Sequence, residues 1–189
     1  DEAHASGVLG KSGHGSLDYF NLKAGEDVDI VLGTCSKALA ASGGFVVAKK
    51  FITDYLRVAS RSYMFSTAMP PASSAALIET LKVIDDEPER RKTLISNVEY
   101  LRGKLNERGF HTFGSETQII PLLVGPDQKA VDYSRGLFAL GIFAPAVRWP
   151  AVEKGKARIR ITLMATHTRE HLDKLVDSCV KVGKTLGVI

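Results

Sequence analysis

Apolar and polar positions along the 189 residues fall into blocks whose period switches between strand and helix. Val28 to Leu32 (VDIVL) and Gly44 to Ala48 (GFVVA) are short β-branched and aromatic runs near glycines, the pattern of buried strands. From Ile52 to Ala59 and from Ala72 to Asp85 apolar residues return at helical spacing, and Pro70-Pro71 marks the start of the second helix. Glu89 to Arg108 predicts a long charged amphipathic helix that crosses between domains, with Leu94, Val98, Leu101 and Leu105 on one stripe and Gly109 as its C-cap. The pattern then predicts a strand at Gln118 to Val124, a helix at Gln128 to Leu140, strands at Ile142 to Pro145 and Ala157 to Thr162, and a last helix over Arg169 to Leu186. Thr168 is a good N-cap for that helix, which gathers Leu172, Leu175, Val176, Cys179 and Leu186 on one face. The predicted class is α/β, its second half a compact layered unit, and the domain boundary is expected within the long helix, around residues 90 to 105.

Composition narrows the partners more than the function. At 44% hydrophobic and 24% charged, the chain has ordinary globular content. Its net charge of +4 comes from scattered Lys and Arg without a dense run, which argues against nucleic acid and anionic lipid and suits small anionic ligands. No apolar stretch approaches the roughly 20 residues needed to span a bilayer. Cys35 and Cys179 lie far apart in sequence and are expected to be reduced, in keeping with a cytoplasmic protein. The chain opens on Asp1-Glu2-Ala3-His4 without an initiator Met, so its amino terminus reads as cut.

The segment Thr34-Cys35-Ser36-Lys37-Ala38-Leu39-Ala40-Ala41-Ser42-Gly43-Gly44 carries the strongest chemical signal. A lysine just after a buried strand, among small residues that admit a flat ring, suits Schiff-base chemistry, and burial would keep its amine nucleophilic. A carboxylate such as Asp1 can hold a pyridine nitrogen protonated, and an imidazole such as His4 can hydrogen-bond a phenolic oxygen. Taken singly, Lys37 could equally be a solvent-facing loop lysine, and Asp1 and His4 surface polar residues or two metal ligands. Cys35 reads as a small buried residue beside the strand end. No metal is expected.

DEAH followed by GVLG, then TCSKALAASGG, YMFSTAMPP and KGKARIRITLMATHT, together resemble the α-oxoamine synthase family of fold-type I pyridoxal-phosphate (PLP) enzymes, over essentially the whole chain. Within it, KGKARIR and the ending GKTLGVI look most like the aminoketobutyrate ligase and oxononanoate synthase branches. The resemblance implies that residues 1–95 are the carboxyl-terminal part of a PLP-binding large domain and residues 96–189 a small α/β domain. It implies PLP as cofactor, bound covalently by Lys37, with Asp1 on the pyridine nitrogen, His4 on the phenolic oxygen and Thr34 on the phosphate. Ser66 and Thr67 match the stretch that reaches a neighbouring subunit's cofactor phosphate, which implies a homodimer with shared sites.

Arg158 and Arg160 alternate on one strand and point the same way. The family match selects Arg160 for the substrate carboxylate, where a guanidinium offers bidentate recognition, and leaves Arg158 an ion-pair role. His167 is read as structural. Two positions depart from the family pattern: Cys35, where a larger residue is usual, and His14, where Arg is common.

The implied reaction condenses an amino acid with an acyl-CoA, Lys37 removing the Cα proton, with loss of carbon dioxide in most members. Because the family's ring-stacking residues and phosphate loop lie upstream of DEAH, the isolated chain is expected to bind PLP weakly and not to turn over. Two other readings stay open: an aminotransferase of the same fold, and a non-catalytic α/β module whose lysine is incidental.

Overall fold

A computed structural model describes all residues, 1–189, and divides them into two compact units, Asp1–Glu89 and Arg90–Ile189. The division falls at the start of the long helix.

In the first unit, helix α1 (Ser16–Phe20) precedes strand β1 (Ile30–Thr34), which pairs antiparallel with β2 (Gly44–Ala48), in register from Ile30 opposite Ala48 to Thr34 opposite Gly44. Helices α2 (Lys50–Ala59), α3 (Arg61–Met64) and α4 (Pro71–Asp86) follow, the last with Pro71 in its first turn, where a missing N–H is harmless. The periodicity did not predict α1 and α3, whose five and four residues are too short to show a helical repeat. β1 and β2 were read as buried strands, and the structure corrects this. Ile30, Leu32 and Val46, on one face of the hairpin, are all exposed, because nothing in this unit lies over that face. The unit buries only Ala5, Cys35 and Leu39 among its apolar side chains.

The second unit has a closed core. Helix α5 (Glu89–Glu107) leads into β3 (Ile119–Gly125), α6 (Asp127–Ala139), β4 (Ala146–Val147), β5 (Ala157–Thr162) and α7 (Arg169–Leu186). The sheet order is β3-β5-β4, antiparallel throughout. Alternate residues Ile120, Leu122 and Val124 of β3 and Ala157, Ile159 and Ile161 of β5 face inward against Leu101 and Leu105 of α5, Tyr133 and Leu137 of α6, and Leu172, Val176 and Cys179 of α7. The strand expected over 142–145 lies instead at Ala146–Val147. The end of α6 uses the intervening residues: Ile142 N–H donates to the Leu137 carbonyl after a left-handed Gly141, and the Ser134 hydroxyl donates to the Ala144 carbonyl. At the start of α7, Thr168 and His171 form a reciprocal capping box.

Burial in this core has a titration consequence. The Tyr133 hydroxyl donates to the Cys179 carbonyl at 2.6 Å. Burial pushes the Cys179 thiol up to about 12 from 9.0 and raises the Tyr133 phenol as well. Both neutral forms are favoured in the fold. Their contribution is therefore fully present below the unfolded pKa values and is lost as pH climbs through the folded ones. Thermal stability is expected to fall above about pH 9, by up to about 1.4 kcal/mol per pH unit for the thiol, and Cys179→Ala should flatten that fall in melts at pH 8 to 11.

No helix is long and apolar enough to cross a membrane.

Candidate functional site

β1 ends at Thr34 and the chain returns at Gly44, so residues 35–43 form the loop closing this hairpin. Cys35 N–H donates to the Gly43 carbonyl at 2.9 Å, and Ala41 N–H to the Cys35 carbonyl at 2.8 Å, which draws the loop tight. Lys37 projects from it and is exposed, so the burial expected from the sequence is absent in this chain. Ala40, three residues on, adopts φ +53°, a left-handed conformation that costs an alanine on the order of 1 kcal/mol. Cys35 is buried, as expected for a small residue at the strand end.

Two glycines in and beside the loop are needed for close packing. A Cβ on Gly33 would meet the Phe45 ring at 2.2 Å, and one on Gly43 would meet the Met69 methyl at 2.6 Å. The Met69 contact also brings the segment after α3, which carries the exposed Ser66 and Thr67, against the loop that carries Lys37.

Thr34 anchors a small hydroxyl cluster. Its Oγ1 lies 2.9 Å from Ser36 Oγ, donates to the Gly43 carbonyl at 3.3 Å and accepts from Ser36 N–H at 3.3 Å. Ser36 did not emerge from the sequence reading, although a hydroxyl two residues from Thr34 and next to Lys37 was visible there.

Asp1 and His4 reach the same neighbourhood through the backbone. Glu2 N–H donates to the Leu32 carbonyl at 2.6 Å, so the first residues run beside the end of β1. Asp1 is exposed, and its Oδ1 accepts from Ala3 N–H at 2.7 Å; His4 is exposed too. Glu2, between them, is buried, its carboxylate bonded to Ser16. The sequence reading missed it because the motif's flanking residues drew the chemistry. His14 lies 3.4 Å from Asp85 at the edge of a cavity of about 480 Å³ lined by Cys35, Leu39, Phe45, Leu77 and Ile84.

Arg160 belongs to the other unit. It sits on β5 opposite Pro121, half-buried on the face away from the core, and Arg158 shares that face. The Arg158 guanidinium stacks 4.3 Å from the Phe113 ring centroid and its Nε donates to the Lys156 carbonyl at 3.0 Å. His167 Nδ1 accepts from Met164 N–H at 3.2 Å, and the His167 carbonyl accepts from the Asn97 amide at 2.8 Å. Burial, then the neighbouring His171, hold its pKa below the usual histidine value.

The first unit thus assembles an amine, a carboxylate, an imidazole and several hydroxyls around one hairpin end. These are the donor and acceptor types that an aldehyde, a pyridine nitrogen, a phenolic oxygen and a phosphate require. By its donor set, the site fits PLP.

Comparison with known proteins agrees. Residues 1–178 match the family described as aminotransferase class I and II. The whole chain is 46% identical to the 8-amino-7-oxononanoate synthase of Lysinibacillus sphaericus and covers 48% of it. In three dimensions the whole chain superposes on 48% of a serine palmitoyltransferase from S. paucimobilis, solved with bound PLP-myriocin aldimine, at a TM-score of 0.91 and 28% identity. It also superposes on 55% of the 8-amino-7-oxononanoate synthase of Francisella tularensis at a TM-score of 0.86 and 25% identity. The chain therefore spans about half the length of the relatives it matches, and its α/β architecture is that of PLP-dependent transferases of the α-oxoamine synthase type. The chain belongs to the aminotransferase class I and II family.

Proposed function

We propose that this chain supplies the lysine-bearing part of a PLP-dependent α-oxoamine synthase, which condenses an amino acid with an acyl-CoA and releases CoA and carbon dioxide. The observation that carries this reading is the hairpin loop at Lys37, with Thr34 and Ser36 on one side and the Asp1–His4 turn tied to the same strand end. The 46% identity to an 8-amino-7-oxononanoate synthase along the entire chain supports it. Glycine or alanine is the expected amino acid.

When bound, PLP supplies an aldehyde carbon and an electron-accepting ring that stabilises negative charge at the substrate's α-carbon. Lys37 would hold the aldehyde through its Nζ, and its amine is the group that would take the α-proton. Asp1 would accept a hydrogen bond from the protonated pyridine nitrogen, and His4 would donate one to the phenolic oxygen. Thr34 hydrogen-bonds the phosphate, and Ser66 and Thr67 do so for a neighbouring subunit, in a homodimer with shared sites. Arg160 grips the amino-acid carboxylate through two parallel N–H···O bonds until that group leaves. We place the protein in the cytoplasm.

An aminotransferase is the second reading, favoured by the family description itself. The full-length protein carrying this sequence should be incubated with glycine or alanine and with acetyl-CoA or pimeloyl-CoA. Free CoA release is the expected result. Conversion of the cofactor to its amine form without CoA release would establish transamination instead.

A further inference from the structure

We infer that Glu2 is a positioning residue for the cofactor's pyridine end: its buried carboxylate fixes the turn from which Asp1 and His4 reach the ring. This rests on the reading of Lys37, Asp1 and His4 given above, and adds a residue to it. A carboxylate only 4% exposed is costly unless its lone pairs are satisfied. Ser16 satisfies them. Its backbone N–H donates to Glu2 Oε1 at 3.0 Å and Oε2 at 2.8 Å, and its hydroxyl to Oε2 at 3.1 Å. The approach is so close that a Cβ on Gly15, at φ +102°, would stand 2.3 Å from Oε2.

The backbone of the same residue makes the other ties. Glu2 N–H donates to the Leu32 carbonyl at 2.6 Å, two residues before Thr34, and the Glu2 carbonyl accepts from Ala5 and Ser6 N–H, both at 3.0 Å. One residue thus joins the end of β1, the Asp1–Ser6 turn and the loop that opens α1. Asp1 precedes it and His4 lies inside the turn that its carbonyl closes. Both exposed side chains branch from the stretch of backbone that Glu2 ties to Leu32, Ala5 and Ser6. Asp18 pins the neighbouring loop, accepting from Ser12 N–H at 2.7 Å and His14 N–H at 3.4 Å, and the Glu2 clamp therefore bears on a segment held at both ends.

The test uses the full-length protein carrying this sequence, with Glu2→Ala, Glu2→Gln and Ser16→Ala variants. Borohydride reduction and peptide mapping come first: label on Lys37 sustains the underlying reading, and label elsewhere removes it together with this proposal. With Lys37 labelled in every variant, the pH midpoint of the bound cofactor's visible absorption is then measured. Glu2→Ala is expected to move it by about one pH unit, the effect of one displaced hydrogen bond at the titrating group. Glu2→Gln, which keeps an acceptor for Ser16 N–H, should restore most of the shift, and Ser16→Ala should move it less in the same direction. A mere loop staple would lower the melting temperature and leave the midpoint in place, and that result overturns the proposal. If Glu2→Ala does not fold, the Ser16→Ala midpoint decides: displaced supports positioning, unmoved overturns it.

Discussion

Replacing Lys37 by alanine in the full-length protein is expected to lower turnover of amino acid and acyl-CoA by at least about 10²-fold, the scale of losing a positioned proton-transfer group. Two losses add in this variant. The covalent tether to the cofactor goes, and so does the amine that takes the α-proton. Neither Lys49 nor Lys50 can replace it, because they lie beyond the far end of β2 while Lys37 sits in the loop at its start. Hydride reduction of the parent should label the peptide that contains Lys37, and the variant should carry no reduced label. Turnover within tenfold of the parent, or label on another lysine, would remove Lys37 from the mechanism.

The second large effect concerns folding. Residues 90–189 expressed alone are expected to unfold cooperatively, while residues 1–89 alone should show no cooperative transition and should bind a hydrophobic dye. The contrast follows from where apolar surface is hidden. Every member of the buried hydrophobic cluster, from Val98 to Val182, lies in the second unit. The first unit leaves Phe51, Tyr55, Val58, Phe65 and Ile78 exposed, and a polypeptide that buries so little cannot offset the conformational entropy of ordering it. Within the excised second unit, Leu101→Ala should cost about 2–5 kcal/mol, because Leu101 is wholly buried against both helices and sheet. Chemical denaturation followed by circular dichroism measures both expectations. A cooperative melt from residues 1–89 would show that its exposed apolar residues do not govern its stability.

These unequal units explain what could be read from sequence. β5, α5 and α7 were legible nearly to the residue, since one face of each is buried within the chain and the apolar period records that face. β2 was legible too, as a β-branched run, but its exposure was not: Val46 and Val47 look the same whether or not a neighbour covers them. The strand before β5 was misplaced because Ile142 and Ala144 are apolar for reasons of helix closure and packing, not sheet pairing. In the candidate site, Lys37, Thr34, Asp1 and His4 were singled out through motif and resemblance. Glu2 was passed over because its role is a hydrogen bond across fourteen residues to Ser16, which no local spacing announces. The exposure of Lys37 was also beyond the sequence, because a lysine among small loop residues reads the same whether buried or exposed.

The start of α7 carries one further consequence. Its capping box uses an imidazole where a carboxylate or amide commonly stands, with Thr168 N–H donating to His171 Nδ1 at 3.2 Å. That bond requires a neutral ring with its hydrogen on Nε2, so the helix's first turn is written for one tautomer.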